Sequence, residues 1–152
     1  MNKRNIILIG MPGAGKSSVG VILAKVLGYE FIDTDLVIQH REKRLLREII
    51  ADEGNEGFLA IENEVNATLE ADKSVIAPGG SAIYGKEAME HFKEIGTIVY
   101  LKLSYEDLAK RLGNLKGRGV VLKEGQTLKD LYDERSKPVS YTHLRAHETD
   151  SY

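Results

Sequence analysis

The run Gly10-Met11-Pro12-Gly13-Ala14-Gly15-Lys16-Ser17 has the spacing G-x-x-x-x-G-K-S. Backbone N–H groups of such a loop can curl around phosphate oxygens, its lysine can reach the β- and γ-phosphates, and its serine hydroxyl can ligate Mg²⁺. Gly13, Ala14, Gly15, Lys16, Ser17 and Ser18 are therefore expected to bind ATP, with Lys16 also catalytic. Downstream, Asp33 and Asp35 are separated by one residue. Asp33 is expected to hold Mg²⁺ together with Ser17, through water because Mg²⁺ dehydrates reluctantly. Asp35 is expected to orient an acceptor hydroxyl and take its proton, the bland alternative being that it merely caps the next helix.

Two further features fit phosphoryl transfer. Gly79 and Gly80 could make only a tight turn, but beside a phosphate loop they read as a place where backbone approaches a substrate closely. Arg118 and Arg135 could be solvated surface charges. A transferring phosphoryl group needs cations on its oxygens, however, and a loop arginine closing over ATP supplies one while excluding water, which makes Arg118 a catalytic candidate. His40, His91, His143 and His147 lie in polar surroundings or in the tail, and none is taken as a metal ligand.

These residues must be positioned by a scaffold, and the sequence outlines one. Asn5 to Ile9 is an almost unbroken aliphatic run ending in glycine, as expected of a strand buried on both faces of a parallel sheet. After the loop, Val19, Ile22, Leu23, Val26 and Leu27 recur at helical spacing, with Gly28 placed to close the helix. Tyr29 to Asp33 predicts a second strand leading into a helix opened by Asp35. From Leu45 to Leu69 the pattern is helical, interrupted near Gly54 and Gly57. Ser74 to Ala77 and Thr97 to Leu103 predict two more strands, with a crossover helix around Ala88 to Lys93 between them. Ser104 opens another helix that Gly113 closes, Asn114 to Gln126 is a loop, and Thr127 caps a final helix. The alternation implies an α/β fold with a parallel sheet, whose ligands sit at the carboxyl ends of the strands. Gly10 and Gly79 both fall at such ends.

The chain has 152 residues, 42% hydrophobic and 29% charged, which suits one domain with its own core. A formal net charge of −2 gives no footprint for nucleic acid or an anionic membrane, and the absence of cysteine excludes disulfides and a thiolate metal site. The apolar stretch after Lys3 and Arg4 is too short for a signal segment, so a cytoplasmic protein is expected. We also expect a monomer whose partner is a small-molecule substrate.

The sequence resembles the shikimate kinase family in the loop GMPGAGKSS, in Phe31-Ile32-Asp33-Thr34-Asp35, in the Phe58-x-x-x-Glu62 stretch, and in Pro78-Gly79-Gly80-Ser81. Arg118 in a lid and Leu131-Tyr132-Asp133-Glu134-Arg135 extend the resemblance to about Pro138. It implies a three-layer P-loop NTPase fold with strand order 2-3-1-4-5. It also implies transfer of the ATP γ-phosphate to a hydroxyl of shikimate or a related hydroxy acid. On that resemblance Asp35 binds the acceptor hydroxyls, Gly79 and Gly80 back the substrate, Arg118 is the lid arginine and Arg135 pairs with the substrate carboxylate.

Two positions and one segment depart from the family. Leu59 stands where an arginine usually completes a carboxylate clamp, which would cost on the order of 1.5 to 3 kcal/mol and alter the preferred acid. Ser81 replaces the third glycine of the turn, narrowing the site or adding a hydroxyl contact. Val139 to Tyr152 is polar and without strand periodicity, more like translated adapter sequence than protein. The kinase domain is thus expected over 1–138, with 139–152 a non-native or disordered tail and the sheet reduced to order 2-3-1-4 without its fifth strand. The competing readings are a kinase for another metabolite, such as gluconate or homoserine, and a regulatory ATPase that uses the same loop to gate a partner.

Overall fold

The computed structural model describes residues 4–10 and 15–101 in full and the backbone of residues 147–149. Strand β1 (Asn5–Ile9) lies at the centre of a parallel sheet, with β3 (Ser74–Ala77) on one side and β4 (Gly96–Leu101) on the other. Strand β2 (Glu30–Asp33) pairs outside β3, which gives the expected order 2-3-1-4. The unbroken apolar run of β1 has a direct cause. Ile7 and Ile9 point to one face and pack with Ile76, Ile98, Met89 and Phe92. Leu8 points to the other and packs with Val75, Val19 and Ala24. A strand covered on both faces cannot alternate with polar residues.

Helix α1 (Lys16–Leu27) covers the Leu8 face and ends on Gly28 in the left-handed region, whose N–H returns to the Ala24 carbonyl. Helix α4 (Lys86–Ile95) supplies Met89 and Phe92 to the opposite face. Between β2 and β3, helices α2 (Thr34–Glu42) and α3 (Leu46–Ala67) enclose a third cluster of Ile38, Ile49, Phe58 and Val65. The expected interruption of α3 is at Gly54, where the backbone leaves helical geometry at φ 75 and ψ 173. A polar knot fastens the sheet below: the buried Asn5 amide donates to the carbonyls of Ala71 and Ile95, and its Oδ1 accepts from the Ser74 N–H.

Two expectations are corrected. Thr34, not Asp35, opens α2, and its cap is Asp33, whose Oδ1 accepts the Asp35 N–H at 2.9 Å. The Asx geometry places the carboxylate of the residue before the helix over its first free amides, whereas Asp35 is already in the first turn. The sheet also has a fifth strand: β5 (His147–Thr149) pairs parallel with Val99, Tyr100 and Leu101 of β4, giving the order 2-3-1-4-5. Edge pairing is made by backbone groups, so a short edge strand needs neither apolar residues nor a two-residue period to form. The helices and loop expected from Ser104 to Pro138, with Arg118 and Arg135, lie outside the described residues, as do Gly13 and Ala14.

Candidate functional site

Gly15 sits at φ 90 and ψ 16 immediately before α1, a conformation that a side chain would strain. Gly15 has no side chain with which to cap α1, and no acidic residue stands in the first turn of the helix. The positive end of the α1 dipole therefore lies at Gly15 with no carboxylate in its first turn to neutralise it, an arrangement that suits a phosphate group. Ser17 and Ser18 are exposed in that first turn. Lys16 Nζ donates to the Gly10 carbonyl at 2.8 Å, which holds the ammonium at the carboxyl end of β1.

The carboxyl ends of β2 and β3 bring the acceptor-side residues to the same edge, since β2, β3 and β1 run parallel in adjacent positions. Asp33 ends β2 and spends one carboxylate oxygen on the α2 cap. Asp35 is partly buried one residue into the helix, and its pKa is raised from 3.8 to about 6. Burial is the main cause and the neighbouring charge of Asp33 adds to it, while the Lys16 ammonium opposes both. Lys16 and Asp33 thus both act electrostatically on Asp35 across the strand ends.

Gly79 follows β3 and Pro78 and faces this group. A Cβ at Gly79 would come within 2.9 Å of Asp35 Oδ1 and 3.1 Å of Glu62 Oε2, so only glycine fits between the two carboxylates. Glu62 is 2% exposed. Sequence reading placed it in a family stretch but gave it no role. The available signal was its position on the buried stripe Phe58, Glu62, Val65 of α3, where a carboxylate must have a polar reason to stay. That reason includes Ser81, whose hydroxyl donates to Glu62 Oε1 at 2.7 Å. The hydroxyl that replaces the third glycine is therefore directed into the protein. Leu59 packs against the third cluster between α2 and α3.

The structure thus assembles Lys16, Asp33, Asp35 and Gly79 at one edge, with Gly80 next along the turn. Arg118 and Arg135 remain expectations from sequence. Oxygen donors are what the site has for a metal. Among the described residues no group of three His, Asp or Glu side chains forms a metal cage. Ser17 and the second oxygen of Asp33 fit an ion that takes most of its ligands from phosphates and water.

The family model for shikimate kinase matches residues 12–151. Shikimate kinase 2 of Yersinia pseudotuberculosis is 38% identical over 109 residues, a match covering 72% of this chain and 63% of that relative. The chain thus spans less than two thirds of the length of that curated relative. Among solved structures, the shikimate kinase of Acinetobacter baumannii in complex with shikimate superposes with a TM-score of 0.84 at 32% identity, covering 97% of this chain and 83% of that one. A gluconokinase from Sinorhizobium meliloti aligns with a TM-score of 0.53 at 21% identity, covering 97% of this chain and 83% of the other, a likeness of fold alone. The chain belongs to the shikimate kinase family.

Proposed function

From that membership we propose that the protein transfers the γ-phosphate of ATP to a hydroxyl of shikimate or a closely related hydroxy acid. The observation that carries the reading is a partly buried Asp35 that feels the charge of Lys16 and stands beside Gly79, so that a Cβ there would come within 2.9 Å of its Oδ1. Phosphoryl transfer needs little covalent chemistry from the protein and depends on alignment and charge. Gly15, the α1 amides and Lys16 would hold the triphosphate, joined by Gly13, Ala14 and Ser18. Gly79 and Gly80 would let the acceptor ring lie flat against the backbone. Asp35 would accept a hydrogen bond from the attacking hydroxyl and take its proton as the bond to phosphorus forms. With a pKa of about 6 it is mostly ionised at neutral pH and still basic enough to help.

Ser17 and Asp33 would hold Mg²⁺, which when bound neutralises charge on the β- and γ-phosphate oxygens. Arg118 and Arg135 complete the proposal as the lid cation and the partner of the acceptor carboxylate. Apolar packing at Leu59 leaves that carboxylate without a guanidinium from this position, which favours a related acid as the second reading. The segment 1–138 would carry the kinase machinery, and 139–152 would be a sequence-atypical tail. No helix among the described residues is long and apolar enough to cross a membrane, and we take the enzyme as a cytoplasmic monomer acting on a small molecule.

The test is a coupled ADP-release assay with Mg²⁺·ATP over shikimate, homoserine and gluconate. Turnover with shikimate or a near analogue is expected, and Lys16→Ala should abolish it. Silence with every hydroxy acid, or full turnover by Lys16→Ala, would defeat the proposal.

A further inference from the structure

Helix α3 holds the segment after β3 at both of its ends. At the near end, Glu62 accepts the Ser81 hydroxyl at 2.7 Å, with both residues buried. At the far end, the next residue of α3 does the capping that α4 lacks. Gly85, the cap residue of α4, has no side chain to offer, and Asn63 Oδ1 accepts the Ala88 N–H at 3.0 Å in its stead. Asn63 Nδ2 also donates to Glu87 Oε1. A Cβ at Gly85 would stand 2.4 Å from Asn63 Oδ1, so that approach is close as well. Between these anchors, the Ala82 N–H bonds the Gly79 carbonyl and the Tyr84 N–H bonds the Ser81 carbonyl, folding the segment into a tight turn.

The two oxygens of Glu62 face different groups. One oxygen takes the Ser81 hydroxyl, and the other stands close to Gly79, where a Cβ would come within 3.1 Å of it and within 2.9 Å of Asp35 Oδ1. The orientation of the Glu62 carboxylate thus connects Ser81 to the surface against which an acceptor would lie. A glycine at position 81 would supply no such donor.

We propose that Ser81 is a positioning residue for the acceptor, acting through Glu62: its hydroxyl fixes the carboxylate beside Asp35 and locks the Gly79–Ser81 turn in the geometry that recognises substrate hydroxyls. The inference rests on the kinase reading for its kinetic half and on the fold alone for its structural half. It adds a serine where the family resemblance expects glycine, and it places the effect on acceptor recognition and not on the nucleotide.

The experiment is a double-mutant cycle of Ser81→Ala and Glu62→Ala, read by kinetics with an accepted acid and by amide hydrogen exchange at Ala82 and Tyr84. Loss of a buried hydrogen bond to a carboxylate should raise the acceptor KM about tenfold in Ser81→Ala and leave the ATP KM and kcat within about twofold. In the Glu62→Ala background the same serine replacement should add less than about twofold, because the partner it acts through is gone. Exchange at Ala82 and Tyr84 should quicken about tenfold in Ser81→Ala. Equal effects on both KM values, additivity in the cycle, or unchanged exchange would each overturn the inference. If the unmutated protein turns over no acid, the kinase reading fails by itself, and the exchange data alone then decide for or against the Ser81 lock.

Discussion

Replacing Asp35 by asparagine should make the protein more stable and nearly inactive at the same time. The carboxyl titrates near 3.8 when exposed and near 6 in the folded chain, a difference that corresponds to about 3 kcal/mol. The direction follows from proton linkage. Below pH 3.8 the group is neutral in both states and costs nothing. Between 3.8 and about 6 the folded state holds the proton while the unfolded state releases it, so stability falls as pH rises. Above about 6 the folded protein carries the full cost of a charge poorly hydrated in the first turn of α2 and next to Asp33. Asparagine has nearly the same shape and no charge. Urea unfolding of Asp35→Asn and the unmutated protein should differ little at pH 4 and by up to about 3 kcal/mol at pH 8, in favour of the variant. Turnover of the accepted acid should drop at least about a hundredfold, since the hydroxyl loses its proton acceptor. In the unmutated enzyme kcat/KM should rise with pH through an apparent value near 6 and then level off. A variant equally or less stable at pH 8, or a stability difference independent of pH, would refute the burial argument. A variant with normal turnover would refute the catalytic role.

Gly79→Ala inserts a methyl within 2.9 Å of Asp35 Oδ1 and 3.1 Å of Glu62 Oε2. It should raise the acceptor KM by at least about tenfold with little change in the ATP KM, and destabilise by about 1 to 3 kcal/mol, as steady-state kinetics and urea titration would report. Leu59→Arg gives up packing against the α2–α3 cluster. A cost of about 1 to 2 kcal/mol in stability is expected, offset by an acceptor KM lowered about tenfold for carboxylate-bearing acids and unchanged for neutral polyols.

The donor half of the site was legible because it is local. Strand β1, the helix that follows the loop and its glycine stop all lie within one local unit, so the spacing of Gly10, Gly15, Lys16 and Gly28 suffices to place the start and end of α1. The strands β1 and β3 were legible for a related reason: burial on both faces writes itself as an unbroken aliphatic run. Strand β5 was not, because an edge strand held by backbone pairing has no side-chain signature to find.

The acceptor half depended on residues far apart in the chain. Nothing near Glu62 in sequence says that it meets both Ser81 and Gly79, and nothing near Gly85 says that its helix is capped from α3 by Asn63. Which of Asp33 and Asp35 caps α2 was decided only by the carboxylate that the helix amides captured, a matter of a single residue in helix register. Sequence by itself determined the chemistry on offer, because residue type and local spacing set what a loop can bind. Tertiary structure decided which carboxylate is buried, which is a cap and which faces the glycine turn, because desolvation and hydrogen-bond partners come from elements that only packing brings together.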